Sequence, residues 1–261
     1  MRVSKLAKAA IVAVAFGLVA STPAYAANLQ GSGASFPALL IEGCKAPYAA
    51  ASANSYTYAS SSSGTGQANS DKSIGDFWMS DSPYTAATKR ASLIHVPLVA
   101  APIAILHNVP GSKTIQFSAA TVAKIFAGEI TMWNDPAIVA DNNRSTTTVT
   151  YRKNADGTLK KDAKGDPIVL STRTLKSTVA LPNKKINVVY RSDSSGTTAN
   201  FTTYLNKSAP SVWTKASNKV FTATFPGNIN DPSNLGRIVG AASSTGVSQL
   251  AGKTPYSITY A

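Results

Sequence analysis

The chain has 261 residues, with 25 Lys and Arg against 12 Asp and Glu, a formal net charge of +13 and a single cysteine. One cysteine excludes an internal disulfide framework, and 12 acids over this length are a poor stock for a carboxylate metal cluster. HExxH, CxxC, Walker A and G-x-S-x-G patterns are all missing, which removes the usual signatures of zinc hydrolases, thiol redox proteins, P-loop enzymes and α/β hydrolases.

In chain order, Arg2, Lys5 and Lys8 precede a short apolar run over residues 9–20, and Ala24-Tyr25-Ala26 is a small-x-small cleavage site. Residues 1–26 therefore read as a cleavable secretory signal, because the apolar run is too short to cross a bilayer. The residue directly after the cleavage site is Ala27 rather than cysteine, which argues against a lipid anchor, and no later apolar stretch is long enough to span a membrane. The expected mature chain starts at Ala27 and works outside the inner membrane, in the periplasm or secreted.

Strand and helix signals then alternate, the pattern of an α/β layer architecture. Residues 28–33 fit a short strand, and Pro37 opens a helix to about residue 51. Cys44 keeps step with Leu39, Leu40 and Ile41 and reads as a buried thiol. Residues 55–59 and 76–80 read as strands, with a serine- and glycine-rich turn into a short helix at 60–66. Residues 94–108 read as two strands broken near Pro102. Ser118 caps a helix to Phe126 that Gly128 stops. Further on come a strand over 186–190, a helix over 194–205, a last helix over about 234–250 and a strand over 256–260. His95 and His107 lie in apolar β-like segments and read as core or edge residues. Trp78, Trp133 and Trp213 read as core fillers. No internal repeat stands out.

The charge is concentrated. Residues 142–185 hold ten Lys and Arg (Arg144, Arg152, Lys153, Lys160, Lys161, Lys164, Arg173, Lys176, Lys184 and Lys185) and three acids (Asp156, Asp162 and Asp166), a local net charge of +7. Residues 146–152 alternate like a strand, Asn154-Ala155-Asp156-Gly157 is a turn signal, and residues 168–171 can pair back. The reading is an exposed basic hairpin inserted at about 146–171. Basicity confined to one segment does not point to nucleic-acid binding by the whole molecule.

Three strand-to-helix junctions share a composition: Gly31-Ser32-Gly33-Ala34-Ser35-Phe36-Pro37, Ser60-Ser61-Ser62-Ser63-Gly64-Thr65-Gly66 and Arg191-Ser192-Asp193-Ser194-Ser195-Gly196-Thr197-Thr198. The first turn of a helix has unpaired N–H groups and partial positive charge, glycine admits close backbone approach, and hydroxyls add donors. Such junctions are natural oxyanion sites, although each alone is also an ordinary helix cap. Arg191 can offer a bidentate fork to an oxyanion, with Asp193 placed to orient it.

These junctions resemble those of the periplasmic phosphate-binding proteins that feed ABC-type phosphate importers. The likeness extends to Asp76-Phe77-Trp78-Met79-Ser80-Asp81-Ser82-Pro83, Ile125-Phe126-Ala127-Gly128-Glu129-Ile130 and Trp133-Asn134-Asp135-Pro136-Ala137-Ile138, in the same order over most of residues 28–205. The resemblance implies a two-lobed α/β fold with mixed sheets, a first lobe over 27–102 and a second over 103–261 carrying the basic hairpin. It implies inorganic phosphate as ligand, held by Ser35, Phe36, Ser62, Asp81, Arg191, Ser195, Gly196 and Thr197 and supported by Ser63, Gly64 and Asp193. It also implies a membrane permease as partner, a monomer with no nucleic acid or membrane anchor, no cofactor or metal, and no catalysis.

The chain departs from that pattern in two places. The connection between the Trp133 block and Arg191 is long and basic. Residue 261 falls where the family continues with a segment that completes both lobes, so the first lobe is expected to be short of strands. Two other readings stay open: a phosphatase on the same frame, and an adhesion or matrix protein using the basic hairpin.

Overall fold

The computed structural model describes residues 26–84, 89, 91–111, 114–176 and 178–261. The expected secretory signal lies outside them except for Ala26. The architecture is two-lobed α/β.

The first lobe is built on a parallel sheet in which β1 (Asn28–Ala34) lies between β2 (Ser55–Ser61) and β3 (Phe77–Met79). Parallel neighbours need crossover connections, and these are α1 (Ala38–Ser52) and α2 (Ser63–Asp71). Gly31 pairs with Tyr58 on one side and Phe77 on the other. With no side chain between them, those two rings stack at 6.1 Å between centroids; a Cβ on Gly31 would meet the Phe77 ring at 2.1 Å.

The second lobe holds a mixed sheet in the order β4 (Ile105–His107), β9 (Ser257–Tyr260), β7 (Asn187–Arg191), β8 (Ile238–Ala241). β7 runs parallel to β8 and β9, and β4 is antiparallel to β9. Around it lie α3 (Ala119–Phe126), α4 (Pro136–Asn142), α5 (Gly196–Ser208), α6 (Phe221–Thr224) and α7 (Ser243–Lys253). The main core is here: Trp133, Trp213, Phe126, Phe201, Phe221, Phe225 and Tyr260 are buried, and Phe201 stacks on Tyr260 at 4.4 Å. Each such ring, removed from water, contributes on the order of 1.5–3 kcal/mol. Trp133 and Trp213 fill this core, while Trp78 is half-buried with its indole donating to Ile74 O.

The antiparallel ribbon of β5 (Ser145–Tyr151) and β6 (Val169–Lys176) stands apart as its own sheet with every strand residue exposed. Its stem begins before and ends after the expected 146–171.

Other expectations need correcting. Of residues 94–108 only Ile105–His107 forms a strand. β9 supplies its antiparallel partner and Ala104 still exchanges backbone bonds with Ala261, whereas residues 93–103 pair with no strand among the described residues, and Ile94 is 81% exposed. Cys44 is exposed rather than buried, because Ile41 is the one buried residue of α1 and the helix turns Cys44, like Leu39 and Leu40, to its exposed side. The last helix does not begin near Asn234. Gly236 turns the chain at φ +73°, residues 238–241 become β8, and the helix starts at Ser243. A four-residue apolar run suits either period, and pairing with β7 decides for the strand.

Candidate functional site

The helix starts of α1, α2, α5 and α7 meet where the lobes face each other. Ser62 caps α2 by accepting from Thr65 N at 3.1 Å, and Ser195 caps α5 by accepting from Thr198 N at 3.1 Å. These hydroxyls do the ordinary work of a cap and still carry a proton to donate elsewhere. The second and third junctions touch directly, with Gly64 N donating to Ser194 O at 2.9 Å. Two glycines make this approach possible: a Cβ on Gly64 would meet Ser194 Oγ at 2.2 Å, and one on Gly196 would meet Ser63 Oγ at 2.5 Å.

Arg191 ends β7 and is 1% exposed. Its Nε and Nη2 donate to Asp193 Oδ1 and Oδ2 at 2.6 and 2.5 Å, the two-pronged geometry that holds a guanidinium in one orientation. At its other edge Nη1 donates to Ser244 Oγ, at the start of α7, at 3.2 Å. Ser244 N in turn donates to Ser35 Oγ at 3.0 Å. The first junction thus reaches the third through the start of α7. Behind Arg191, the buried Tyr260 hydroxyl accepts from Arg191 N at 3.2 Å and forms a hydrogen bond with Thr198 Oγ1 at 2.7 Å.

Asp81 closes the other side. Its N–H donates to Ser63 Oγ at 3.1 Å, its Oδ2 accepts from Thr197 Oγ1 at 2.9 Å, and its carbonyl accepts from Asn200 Nδ2 at 2.7 Å. Burial pushes the Asp81 pKa above the ordinary carboxylate value, opposed by the Thr197 hydroxyl and the Arg191 charge. Burial, helped by the Asp81 charge, also raises the phenol of Tyr58, which donates to Ala34 O at 2.7 Å. Arg191, Asp193 and Asp81 together carry one net negative charge. Lys219, whose pKa is lowered by burial, bridges the lobes by donating to Gln67 Oε1.

Of the residues singled out from the sequence, Ser35, Ser62, Ser63, Gly64, Asp81, Arg191, Asp193, Ser195, Gly196 and Thr197 come together at this seam. Phe36 follows Ser35 in its turn and is half-buried. Ser243 and Ser244 were missed, although Ser243-Ser244-Thr245-Gly246 has the same hydroxyl-and-glycine composition as the other junctions. Lys219 and Tyr260 carry no sequence signal at all. His107 sits in β4 against Trp133, its pKa lowered by burial, and His95 Nε2 accepts from Tyr84 N at 3.2 Å. Among the described residues, no group of three or more His, Cys, Asp or Glu is placed to hold a metal ion.

The family model of the PBP superfamily domain matches residues 19–261. The chain belongs to the PBP superfamily. Within it, the relatives found are PstS-like. Phosphate-binding protein PstS 3 of Mycobacterium leprae (strain TN) is 33% identical over 210 residues, covering 78% of this chain and 44% of that protein. Phosphate-binding protein PstS of Xylella fastidiosa (strain Temecula1 / ATCC 700964) is 30% identical over 213 residues, covering 80% and 49%. This PBP superfamily chain therefore spans about half the length of the curated relatives it matches. Among solved structures, a phosphate-binding protein from Stenotrophomonas maltophilia aligns with a TM-score of 0.57 at 20% identity, over 89% of this chain and 59% of that one. The periplasmic phosphate-binding protein PfluDING, bound with phosphate, aligns with a TM-score of 0.60 at 23% identity, over 89% and 55%. At these identities the alignments speak for the PBP superfamily fold alone. No helix among the described residues is long and apolar enough to cross a membrane.

Proposed function

We propose that this chain is the ligand-capturing part of an exported solute receptor that takes up inorganic phosphate as hydrogen phosphate and presents it to an ABC-type importer. The observation that carries the reading is the pairing of a buried, forked Arg191 with a part-buried carboxylate, Asp81, among four converging helix starts. A site with net negative charge must hold an anion mainly by oriented N–H groups and hydroxyls. Arg191 supplies the one full positive charge at its centre.

Asp81 gives the site its selectivity. Hydrogen phosphate carries a P–OH that can donate to a carboxylate; sulfate at neutral pH has no proton and would set acceptor against acceptor. A carboxylate offers about four lone-pair sites, so accepting from Thr197 leaves room for a second donor. Sites built around a hydrogen bond reject analogues lacking it by about 10⁴ or more in favourable cases. In this reading Ser35, Phe36, Ser62, Ser195, Gly196 and Thr197 surround the oxyanion, while Ser63, Gly64 and Asp193 support them. The chain binds without catalysis, outside the inner membrane.

Calorimetric titration of the refolded chain with phosphate and with sulfate tests this. Tight phosphate binding with sulfate at least about 10³-fold weaker, and a gap that narrows in Asp81→Asn, is the expected result. Equal affinity for the two anions, or an Asp81→Asn variant with unchanged discrimination, refutes it.

A further inference from the structure

We infer that the hairpin of β5 and β6 is a docking surface for linear inorganic polyphosphate, separate from the oxyanion site between the lobes. Its tip is an eight-residue repeat. Arg152-Lys153-Asn154-Ala155-Asp156-Gly157-Thr158-Leu159 is followed at once by Lys160-Lys161-Asp162-Ala163-Lys164-Gly165-Asp166-Pro167. Matching positions make matching bonds. Asn154 N donates to Thr158 O and Asp162 N to Asp166 O, both at 2.9 Å; Gly157 N donates to Asn154 O at 3.0 Å and Gly165 N to Asp162 O at 3.1 Å. Gly157 and Gly165 have φ of +84° and +88°, so both turns require glycine at the same step.

The three chain passes then close on one another. Arg152 N donates to Ile168 O at 2.8 Å, Lys160 N to Arg152 O at 2.8 Å, and Ile168 N to Lys160 O at 2.9 Å. This ring of backbone bonds gathers Arg152, Lys153, Lys160 and Lys161 in one compact tip, with Lys164 on the second turn and Arg173 and Lys176 continuing along β6. All seven are exposed. Two of the three acids nearby brace the turns, Asp156 Oδ1 accepting from Thr158 N and Asp162 Oδ1 from Lys164 N and Asp166 N, and the cations still outnumber the acids.

The charge calls for a polyanion, and the composition selects among polyanions. Beside the exposed apolar Val149, Val169, Leu170 and Leu175, the stem carries Thr146, Thr147, Thr148, Thr150, Ser171, Thr172 and Thr174, hydroxyl donors suited to phosphoryl oxygens. The only aromatic ring on the ribbon is Tyr151, whereas single-stranded nucleic acid is held on stacking platforms. A two-stranded ribbon also fits the major groove of a duplex, so displacement by double-stranded DNA overturns the choice of occupant.

Fluorescence anisotropy of end-labelled polyphosphate against the full chain, in saturating orthophosphate to fill the interlobe site, tests the assignment. The variant carrying Lys153→Ala, Lys160→Ala, Lys161→Ala and Lys164→Ala changes only exposed side chains. It is expected to bind at least about 10-fold more weakly and with a shallower salt dependence, roughly one unit of slope per lost contact, while the corresponding Lys→Arg variant binds as wild type. Unchanged binding by the alanine variant overturns the surface. Displacement of polyphosphate by single-stranded DNA, double-stranded DNA or a carboxylated polysaccharide at a lower charge concentration than unlabelled polyphosphate overturns the choice of occupant.

Discussion

Thr197 donates its hydroxyl to Asp81 Oδ2 at 2.9 Å, tying the first turn of α5 in the second lobe to the bend that follows β3 in the first. The bond compensates only part of what burial costs the carboxylate, so the Asp81 pKa stays raised.

A raised carboxylate pKa means that the folded state holds this proton more tightly than the unfolded chain does. The contribution to stability is complete below the unfolded value and is lost as pH rises through the folded one. Ionised Asp81 therefore costs stability at neutral pH. Asp81→Asn removes that cost, and the variant is expected to unfold at higher urea than wild type at pH 7. The difference should shrink as pH falls through the raised Asp81 pKa and vanish below the ordinary range near ~3.9. Paired urea titrations across this window check it, and a gap that widens on acidification contradicts it.

Arg191→Lys keeps the charge and loses the fork. A lysine cannot make both bonds to Asp193 and still reach Ser244, so the cation loses the fixed direction that the proposed phosphate site needs. Phosphate affinity is expected to fall by about 10²-fold, in line with a lost charge-assisted bond of ~1.5–3 kcal/mol. Calorimetry reads the affinity; a change under threefold would mean that charge alone matters at this position.

Gly196→Ala should be favourable for an isolated helix and unfavourable here. The added methyl would lie 2.5 Å from Ser63 Oγ, 2.8 Å from Ser82 N and 2.9 Å from Asp81 Cβ, so the helix starts of α2 and α5 must separate. Phosphate binding is expected to weaken by at least about 10-fold, with stability changed by no more than about 1 kcal/mol because the contact is between lobes rather than in either core. Binding and thermal unfolding measured on the same preparation distinguish this from general damage.

The thiol of Cys44 is exposed on α1. One equivalent of a thiol reagent is expected to react with the native chain at a rate close to that of the unfolded chain. A lag that disappears only in denaturant would place the residue under a covering layer.

Helix starts were legible because a cap is local. Ser62, Ser118 and Ser195 each accept from an amide three residues on, and that spacing shows in the sequence. Cys44 was misjudged because an apolar period says which residues share a helix face but not whether anything lies over that face. The repeat at the hairpin tip escaped notice because Arg152 with Lys160 and Asn154 with Asp162 match in chemistry rather than identity. Their equivalence shows in the backbone bonds.

By itself the sequence determined the three hydroxyl-and-glycine junctions, the confinement of positive charge to one inserted segment, and the kinship of the chain. Tertiary structure alone decided that the start of α7 joins those junctions, that Ser244 stands between Ser35 and Arg191, and that Tyr260 braces the arginine from behind. Ser35 and Ser244 lie 209 residues apart, and a hydrogen bond over that separation depends on how two sheets bring their helix ends together. No local spacing encodes it.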